Sequence, residues 1–305
     1  MDILTPFKNA GAGAPEVSVI IPHFNRPDLL KEAVASVAAQ TFRDFELIVA
    51  DDGSEAGVIS RLLDLARAWE ALAAPSPPAF RLLRFPHSGF PGAVRNRGAA
   101  AARGGYLAFL DSDDLYRPDK LEKQATFFRN HPDCLLCHTR EVWLRSGREV
   151  SQKGQRHRRR GDVFADSLKK CILGPSTVMM SAPLFRSTGG FAENLEIAED
   201  YEYWLRLSAQ IPVEYIEEAL TIKRAGSWPQ LSEKYGQIEI FRIRALRRLL
   251  EQDLLPPPRR REARQTLGEK CLIYGRGCEK RGRPDEAAEY FSLAARYLDG
   301  EAGQP

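Results

Sequence analysis

The order of apolar and polar positions along the chain divides it into two regions. VSVIIP (17–22) is a continuous, largely β-branched apolar run of the kind a strand covered on both faces shows. Apolar residues then recur at 29, 30, 33, 34, 37 and 38, which predicts a helix. FELIVA (45–50), FRLLRF (80–85) and YLAFL (106–110) repeat the strand pattern. Between them, 58–73 reads as a helix ended by APSPP, and 92–103 as an Ala-rich helix stopped by Gly104-Gly105. Strands alternating with helices at this interval predict βαβ units and a parallel sheet covered on both faces.

Beyond residue 118 the pattern changes. PDKLEKQATFFRN predicts a helix with Pro118 in its first turn. CLLCHTR and EVWLR read as two short antiparallel strands, and STVMMS (176–181) as another. PLFRSTGG reads as a short helix, and 198–210 as an amphipathic helix. VEYIEE and LTIKR close the strand-bearing region. A long helix is expected over 231–255, a break at PPP (256–258), and a helical hairpin over 261–299. Tyr274, Gly275, Cys278, Gly282, Ala287, Phe291 and Ala294 have the spacing of a tetratricopeptide unit, where small residues permit close helix contact. One such unit cannot bury its own face, so it should dock on the long helix or on a second chain. An ordinary helical pair fits the same residues.

The polar clusters fall where ligands bind in parallel sheets, outside the carboxyl ends of strands. His23-Phe24-Asn25 follows the first strand, Asp51-Asp52-Gly53-Ser54 the second, and Asp111-Ser112-Asp113-Asp114 the fourth. Carboxylates that close together repel one another unless a cation is expected among them. Mg²⁺ and Mn²⁺ favour such oxygen ligands, one or two carboxylates plus phosphate.

Composition narrows the choice of function. The chain has 305 residues, 44 of them basic and 41 acidic, and this near-balance argues against a dedicated nucleic-acid binder. No apolar stretch approaches a membrane span. The first fifteen residues lack the basic start and apolar core of a secretory signal, and read as a flexible tail. Five cysteines read as free thiols of a reducing compartment. The expectation is a cytoplasmic protein, compatible with peripheral membrane contact.

VSVIIPHFNR, SVAAQTF, FELIVADDGS, GAVRNRGAAAARGGYLAFLDSDDLYRPDKL and GGFAENLEIAEDYEYWLRL occur in that order over roughly residues 16–225. Together they resemble the family 2 glycosyltransferases, inverting enzymes of the GT-A fold. The resemblance implies an α/β fold, with a mixed and mostly parallel sheet, over 16–228; the helical region predicted from the residue pattern then occupies 229–305. It also implies a nucleotide-diphosphate sugar donor, a divalent metal (Mn²⁺ or Mg²⁺), and a carboxylate base acting on the hydroxyl of a glycan, lipid-linked or other acceptor.

Asp111-Ser112-Asp113 looks like the family's Asp-X-Asp motif. By resemblance Asp113 ligates the metal, while Asp111 and Ser112 lie near the ribose or the metal's water shell; Asp114 is left to cap the helix near Pro118. The turn at Asp51–Ser54 resembles the base-recognition turn, with Asp52 assigned to accept a pyrimidine N3–H, Asp51 as second choice, and helix capping by Asp52 or Ser54 as the structural alternative. Pro22, Phe24 and Asn25 belong to the same nucleotide site, with Phe24 where relatives carry Tyr. Arg95 and Arg97 suit phosphate contact at a helix N-terminal turn, or solvated helix positions; Arg95 is the closer match. Asp200, beside Glu199 at the start of its helix, matches the family's general base. Where relatives carry a His before Gln-Leu-Ser, this chain has Ser227-Trp228, so Lys223 or Arg224 could neutralise phosphate instead.

The remaining features are weaker. Cys134, Cys137 and His138 have the letters of a haem attachment site but sit in an apolar strand pattern. Cys271 and Cys278 suit packing. The basic run 153–160 could meet an anionic acceptor. A non-catalytic binding module on the same scaffold is the alternative, and the helical hairpin could serve assembly.

Overall fold

The computed structural model describes residues 2–4, 13–75, 77–150, 159–225 and 238–298. Its strands are β1 (Asp2–Ile3), β2 (Val17–His23), β3 (Phe45–Asp51), β4 (Ala79–Arg84), β5 (Tyr106–Phe109), β6 (Leu115–Tyr116), β7 (Leu136–Arg145), β8 (Arg148–Val150), β9 (Val178–Ser181) and β10 (Glu214–Ala225). The helices are α1 (Pro27–Ala38), α2 (Ala56–Leu72), α3 (Pro91–Ala100), α4 (Lys120–Asn130), α5 (Phe164–Lys169), α6 (Ala182–Ser187), α7 (Glu199–Ser208), α8 (Ile238–Glu251), α9 (Pro257–Lys280) and α10 (Pro284–Leu298).

The strands form one sheet in the order β1-β4-β3-β2-β5-β9-β7-β10-β6, with β8 on β7. β4, β3, β2 and β5 are mutually parallel, as the alternation predicts. Because β9 then pairs antiparallel with β5, a mixed second half extends the sheet. Val17, Val19, Ile20 and Ile21 are fully buried, which is why β2 reads as an unbroken apolar run rather than an alternating one. Leu30, Ala33, Val34, Val37 and Ala38 form the buried stripe of α1.

Several expectations need correction. The start of the N-terminal tail is a strand, β1, paired antiparallel with the edge strand β4. CLLCHTR and EVWLR are not two strands but one, β7. Its first four residues are buried beside β9 and its remainder is half-exposed beside β10, so the change of environment looks like a break. VEYIEE and LTIKR also join, as β10, whose register shifts between Ile216 and Thr221 interrupt the pattern. Pro118 precedes α4 instead of opening it, since Arg117 and Pro118 are pinned by Gln40, Thr41 and Leu220. Pro257 opens α9 at its first position, where a missing N–H costs nothing, so the PPP stretch starts a helix, while α8 has already ended at Glu251.

The expected amphipathic helix α7 is buried on nearly every side. Tyr203, Trp204 and Leu207 face the sheet-side core, while Tyr201 and Leu205 face a second apolar cluster built with α5, α8, α9 and α10. Its charged positions stay paired, Arg206 Nε lying 3.2 Å from Glu202. In the helical extension a Cβ on Gly275 would meet the Phe291 ring at 2.7 Å, so α9 and α10 approach as the small residues anticipated. The pair docks on α8 through the same cluster. The first part of the 231–255 helix lies outside the described residues.

Helix α3 lies close enough to β2 that a Cβ on Gly98 would stand 2.6 Å from Ile20 Cγ2. Gly98→Val should therefore lower unfolding free energy by about 1–3 kcal/mol through overpacking, read as an earlier denaturant midpoint at unchanged slope.

Candidate active site

A cleft of about 400 Å³ opens beyond the carboxyl ends of the parallel strands. Its strand-end wall includes Pro22, Phe24, Asp52, Arg95, Asp111, Ser112 and Asp113, and its far wall includes Glu199, Asp200, Trp143, Lys223 and Ile238. Three loops at the ends of β2, β3 and β5 thus meet the N-terminal turn of α7, although that turn lies almost 90 residues further along the chain.

The strand-end loops are locked together. Asp51 is fully buried, 3.0 Å from His23 Nδ1, and accepts from the Ser54 amide. Burial works against its ionisation, but the bonds from His23 and Ser54 overcome this and hold its carboxyl below the usual range. Asp52, not Asp51, reaches the cleft wall. Its carboxylate accepts from the Ser88 amide (2.9 Å), the Ser88 hydroxyl (2.8 Å) and the Gly89 amide (2.9 Å), fixing the loop after β4. His87 in that loop stacks on Phe24, with ring centroids 4.2 Å apart, leaving a partly exposed aromatic surface at the cleft mouth.

Asn25, expected in the nucleotide site, is absent from the cleft wall. It adopts a left-handed conformation (φ 50°) and accepts from the Glu55 amide at 3.0 Å, tying the β2 loop to the β3 loop. Arg97 also misses the cleft; it donates to the Pro86 carbonyl at 3.1 Å.

Arg95 occupies a different role from free phosphate contact. Its guanidinium is buried, donates to Asp111 Oδ1 at 2.6 Å, and donates to Glu199 through its other terminal nitrogen. One cation thus faces two carboxylates and cannot neutralise both. Burial opposes charge on Asp111, but Arg95 and Lys223 hold it below the ordinary carboxylate range. Burial dominates at Glu199, with Asp200 adding to it, and despite Arg95 its carboxyl is pushed up to about 7.

The other aspartates of the motif divide similarly. Asp113 is raised by burial and by Asp111 beside it, and is partly offset by Arg26 at 3.4 Å. Asp114 does not cap α4. It is buried, accepts from Ser176 Oγ (2.7 Å) and the Arg224 amide (3.1 Å), and is pushed up to about 7 by burial and its acidic neighbours. Arg224 Nε donates to the Asp113 carbonyl at 2.6 Å, so it braces the loop, while Lys223 stands in the cleft with its ammonium 5.1 Å from the Trp143 ring centre.

No group of three or more His, Cys, Asp or Glu among the described residues is placed to hold a metal by itself. The chemistry here suits a cation completed by donor phosphates: Asp111 and Asp113 line the cleft together, and burial beside Asp111 disfavours a second negative charge on Asp113.

Two residues before Asp200 stands Ala198, a non-glycine residue in the left-handed region (φ 65°). This turns the chain sharply so that α7 begins at the cleft wall. Asp200 Oδ1 accepts from the Tyr201 amide at 2.7 Å, and Oδ2 lies 3.6 Å from Cys171 Sγ. Cys137 is buried and pushed up to about 12, and His138 is bonded to the Arg159 carbonyl at 2.7 Å; the haem-like letters are core packing. Ser227-Trp228 and residues 153–158 lie outside the described residues.

Arg26, His87, Trp143 and Ile238 line the cleft without having been singled out in the sequence. Only Arg26 and His87 carried a signal, since each lies in a loop directly after a predicted strand.

Residues 18–188 match the family described as Glycosyl transferase family 2, and the chain belongs to that family. An uncharacterized glycosyltransferase of Rickettsia felis is 32% identical over 212 residues, 68% of this chain and 32% of that protein. The putative teichuronic acid biosynthesis glycosyltransferase TuaG of Bacillus subtilis is 29% identical, over 63% of this chain and 72% of TuaG. The chain spans about a third or less of the first curated relatives it matches. Among solved structures, S. aureus TarS 1-349 in complex with UDP-GlcNAc superimposes with TM-score 0.59 at 18% identity, covering 93% of this chain and 92% of that one. The mannosyltransferase PcManGT from Pyrobaculum calidifontis, in complex with GDP-Man and Mn²⁺, gives 0.61 at 17% identity, covering 99% and 80%. The fold is thus of the expected GT-A type. No helix among the described residues is long and apolar enough to cross a membrane.

The raised Glu199 has a consequence for stability. Unfolded, this carboxyl releases its proton near 4.5; folded, it keeps it up to about 7. The folded state therefore binds more protons between those values, and this contribution is complete below about 4.5 and lost as pH rises through 7. Its size is on the order of 3 kcal/mol at most. Thermal melts of the ligand-free protein from pH 5 to 8 should fall less steeply for Glu199→Gln than for wild type.

Proposed function

We propose that the protein transfers a sugar, with inversion, from a nucleotide diphosphate donor to an acceptor hydroxyl, assisted by a divalent cation. The observation that carries this reading is the meeting of the Asp111–Asp113 loop and the Asp200 turn across one cleft, joined by Arg95.

In this reading the nucleotide lies along the ends of β2 and β3, with its base against Phe24 and His87 and within reach of Asp52. Pro22 shapes the floor beneath it. Asp113, with Asp111, would hold Mn²⁺ or Mg²⁺, which when bound offsets the charge developing on the diphosphate leaving group. Ser112 lies between these two ligands and contributes its hydroxyl on the donor side. Arg95 orients Asp111 and so acts on the donor through it. Lys223 supplies a fixed positive charge between Asp111, Asp114 and Asp200.

Asp200 takes the proton from the acceptor hydroxyl while the oxygen attacks the anomeric carbon from the face opposite the diphosphate. One displacement from that face inverts the configuration. Trp143 and the first turn of α8 wall the acceptor side. TuaG and the O-antigen biosynthesis protein RfbC of Myxococcus xanthus are named for polysaccharide synthesis, which supports a glycan acceptor, free or lipid-linked. Cytoplasmic action at the membrane face suits such an acceptor.

Asp200→Asn should cut transfer by about 10²–10⁴ while leaving nucleotide affinity within a few-fold, because the lost group touches the acceptor proton and not the diphosphate. Single-turnover assays with a panel of nucleotide sugars, paired with calorimetry, read both quantities. Retained transfer would remove Asp200 from the role.

Asp113→Asn should weaken nucleotide and metal together. Calorimetry of UDP, GDP and CDP with Mn²⁺ should show UDP binding tightest, lost with EDTA and reduced in the variant. Tighter GDP binding, or UDP binding indifferent to EDTA, would overturn the donor assignment.

A further inference from the structure

The C-terminal helices do not stand apart from the cleft. Phe241, Ala245, Leu246 and Leu249 of α8 share one buried cluster with Tyr201 and Leu205 of α7, and α9 and α10 continue that cluster without a break. Ile238, the first residue of α8, is itself in the cleft wall. The helical extension is therefore built onto the back of the helix that carries Asp200.

One polar contact links this packing to the carboxylate. Lys270 of α9 is buried, and its ammonium donates to the carbonyl of Lys169, the last residue of α5, at 3.2 Å. The same ammonium pairs with Glu239 of α8 at 2.9 Å, so one group holds α5, α8 and α9 together. From Leu168 the carbonyl accepts the Tyr201 hydroxyl of α7 at 2.6 Å. Two residues after Lys169, Cys171 packs against the same cluster with its Sγ 3.6 Å from Asp200 Oδ2. The segment 168–171 is thus gripped by α9 on one side and bears on α7 and Asp200 on the other.

We propose that the C-terminal helical extension is a positioning element for the Asp200 turn, acting through Lys270 and the 168–171 segment, and not only a docking module for other proteins. The left-handed Ala198 immediately before this turn is a conformation that persists only where surrounding contacts hold it, and Ala198 belongs to the same cluster. Lys270 is a positioning residue: it reaches no cleft atom itself. The inference rests on the reading of Asp200 as base, because its effect on rate is exerted there.

The test uses the full chain with Lys270→Met, Lys270→Arg and Asp200→Asn. Methionine keeps the apolar stem and removes the ammonium, and Glu239 retains Arg242 as a partner, so no charge is left unpaired. Hydrogen exchange of the ligand-free protein should rise about tenfold in Lys270→Met over 168–174 and 198–203, and stay unchanged over 45–54 and 106–114. Calorimetry with UDP and Mn²⁺ should give the wild-type affinity. Turnover of whichever of UDP-GlcNAc, UDP-glucose or GDP-mannose the wild type uses should fall about tenfold in kcat with the donor KM kept, since small displacements of a reacting group are costly in rate. Lys270→Arg should restore most of both. Unchanged exchange at the two segments, or a loss of donor affinity matching the loss of kcat, overturns the inference. If Asp200→Asn is inactive while Lys270→Met keeps full kcat, the positioning role fails and the base stands; if Asp200→Asn keeps transfer, both fall.

Discussion

The cleft depends on one buried cation. Arg95 rises from α3 into a space that excludes water and meets Asp111 after β5 on one side and Glu199 at the start of α7 on the other. A guanidinium stays charged there because two carboxylates face it, and the carboxylates stay close because it lies between them. Burial, with Asp200 adding to it, is what raises the Glu199 carboxyl to about 7 despite Arg95. The ion triad is therefore a strut between the two halves of the site.

The strut works because the elements carrying it are rigid. α3 lies flat on β2 through small residues, and the loops after β2 and β3 are tied by Asn25, Asp51 and Ser54. Asp52 fixes the loop after β4 in the same way. On the other wall α7 is enclosed by two cores, with its internal charges paired. One wall of the cleft thus stands on the ends of parallel strands, and the carboxylates of the other stand on a helix packed from behind by the C-terminal helices. Two separately supported walls allow each to be rigid without a continuous stretch of chain between them.

Much of this was legible from residue order alone. The β-branched runs at 17–22 and 45–50 could only be covered strands, and the polar residues that follow them had to lie at one sheet edge, because parallel strands place all their carboxyl ends together. The stripe of α1 was equally readable, since it follows from helical periodicity. What residue order could not decide was pairing across distance. It could not show that Arg95 spends its donors on Asp111 and Glu199, that Asn25 binds Glu55 away from the cleft wall, or that Asp114 belongs to Ser176. Nor could it join β7 or β10 across a change of burial and a register shift. Local pattern determines which element a segment forms and which face is apolar. Only tertiary packing decides which charge meets which, because the desolvation and hydrogen-bond terms that choose among partners exist only once distant segments have been brought together.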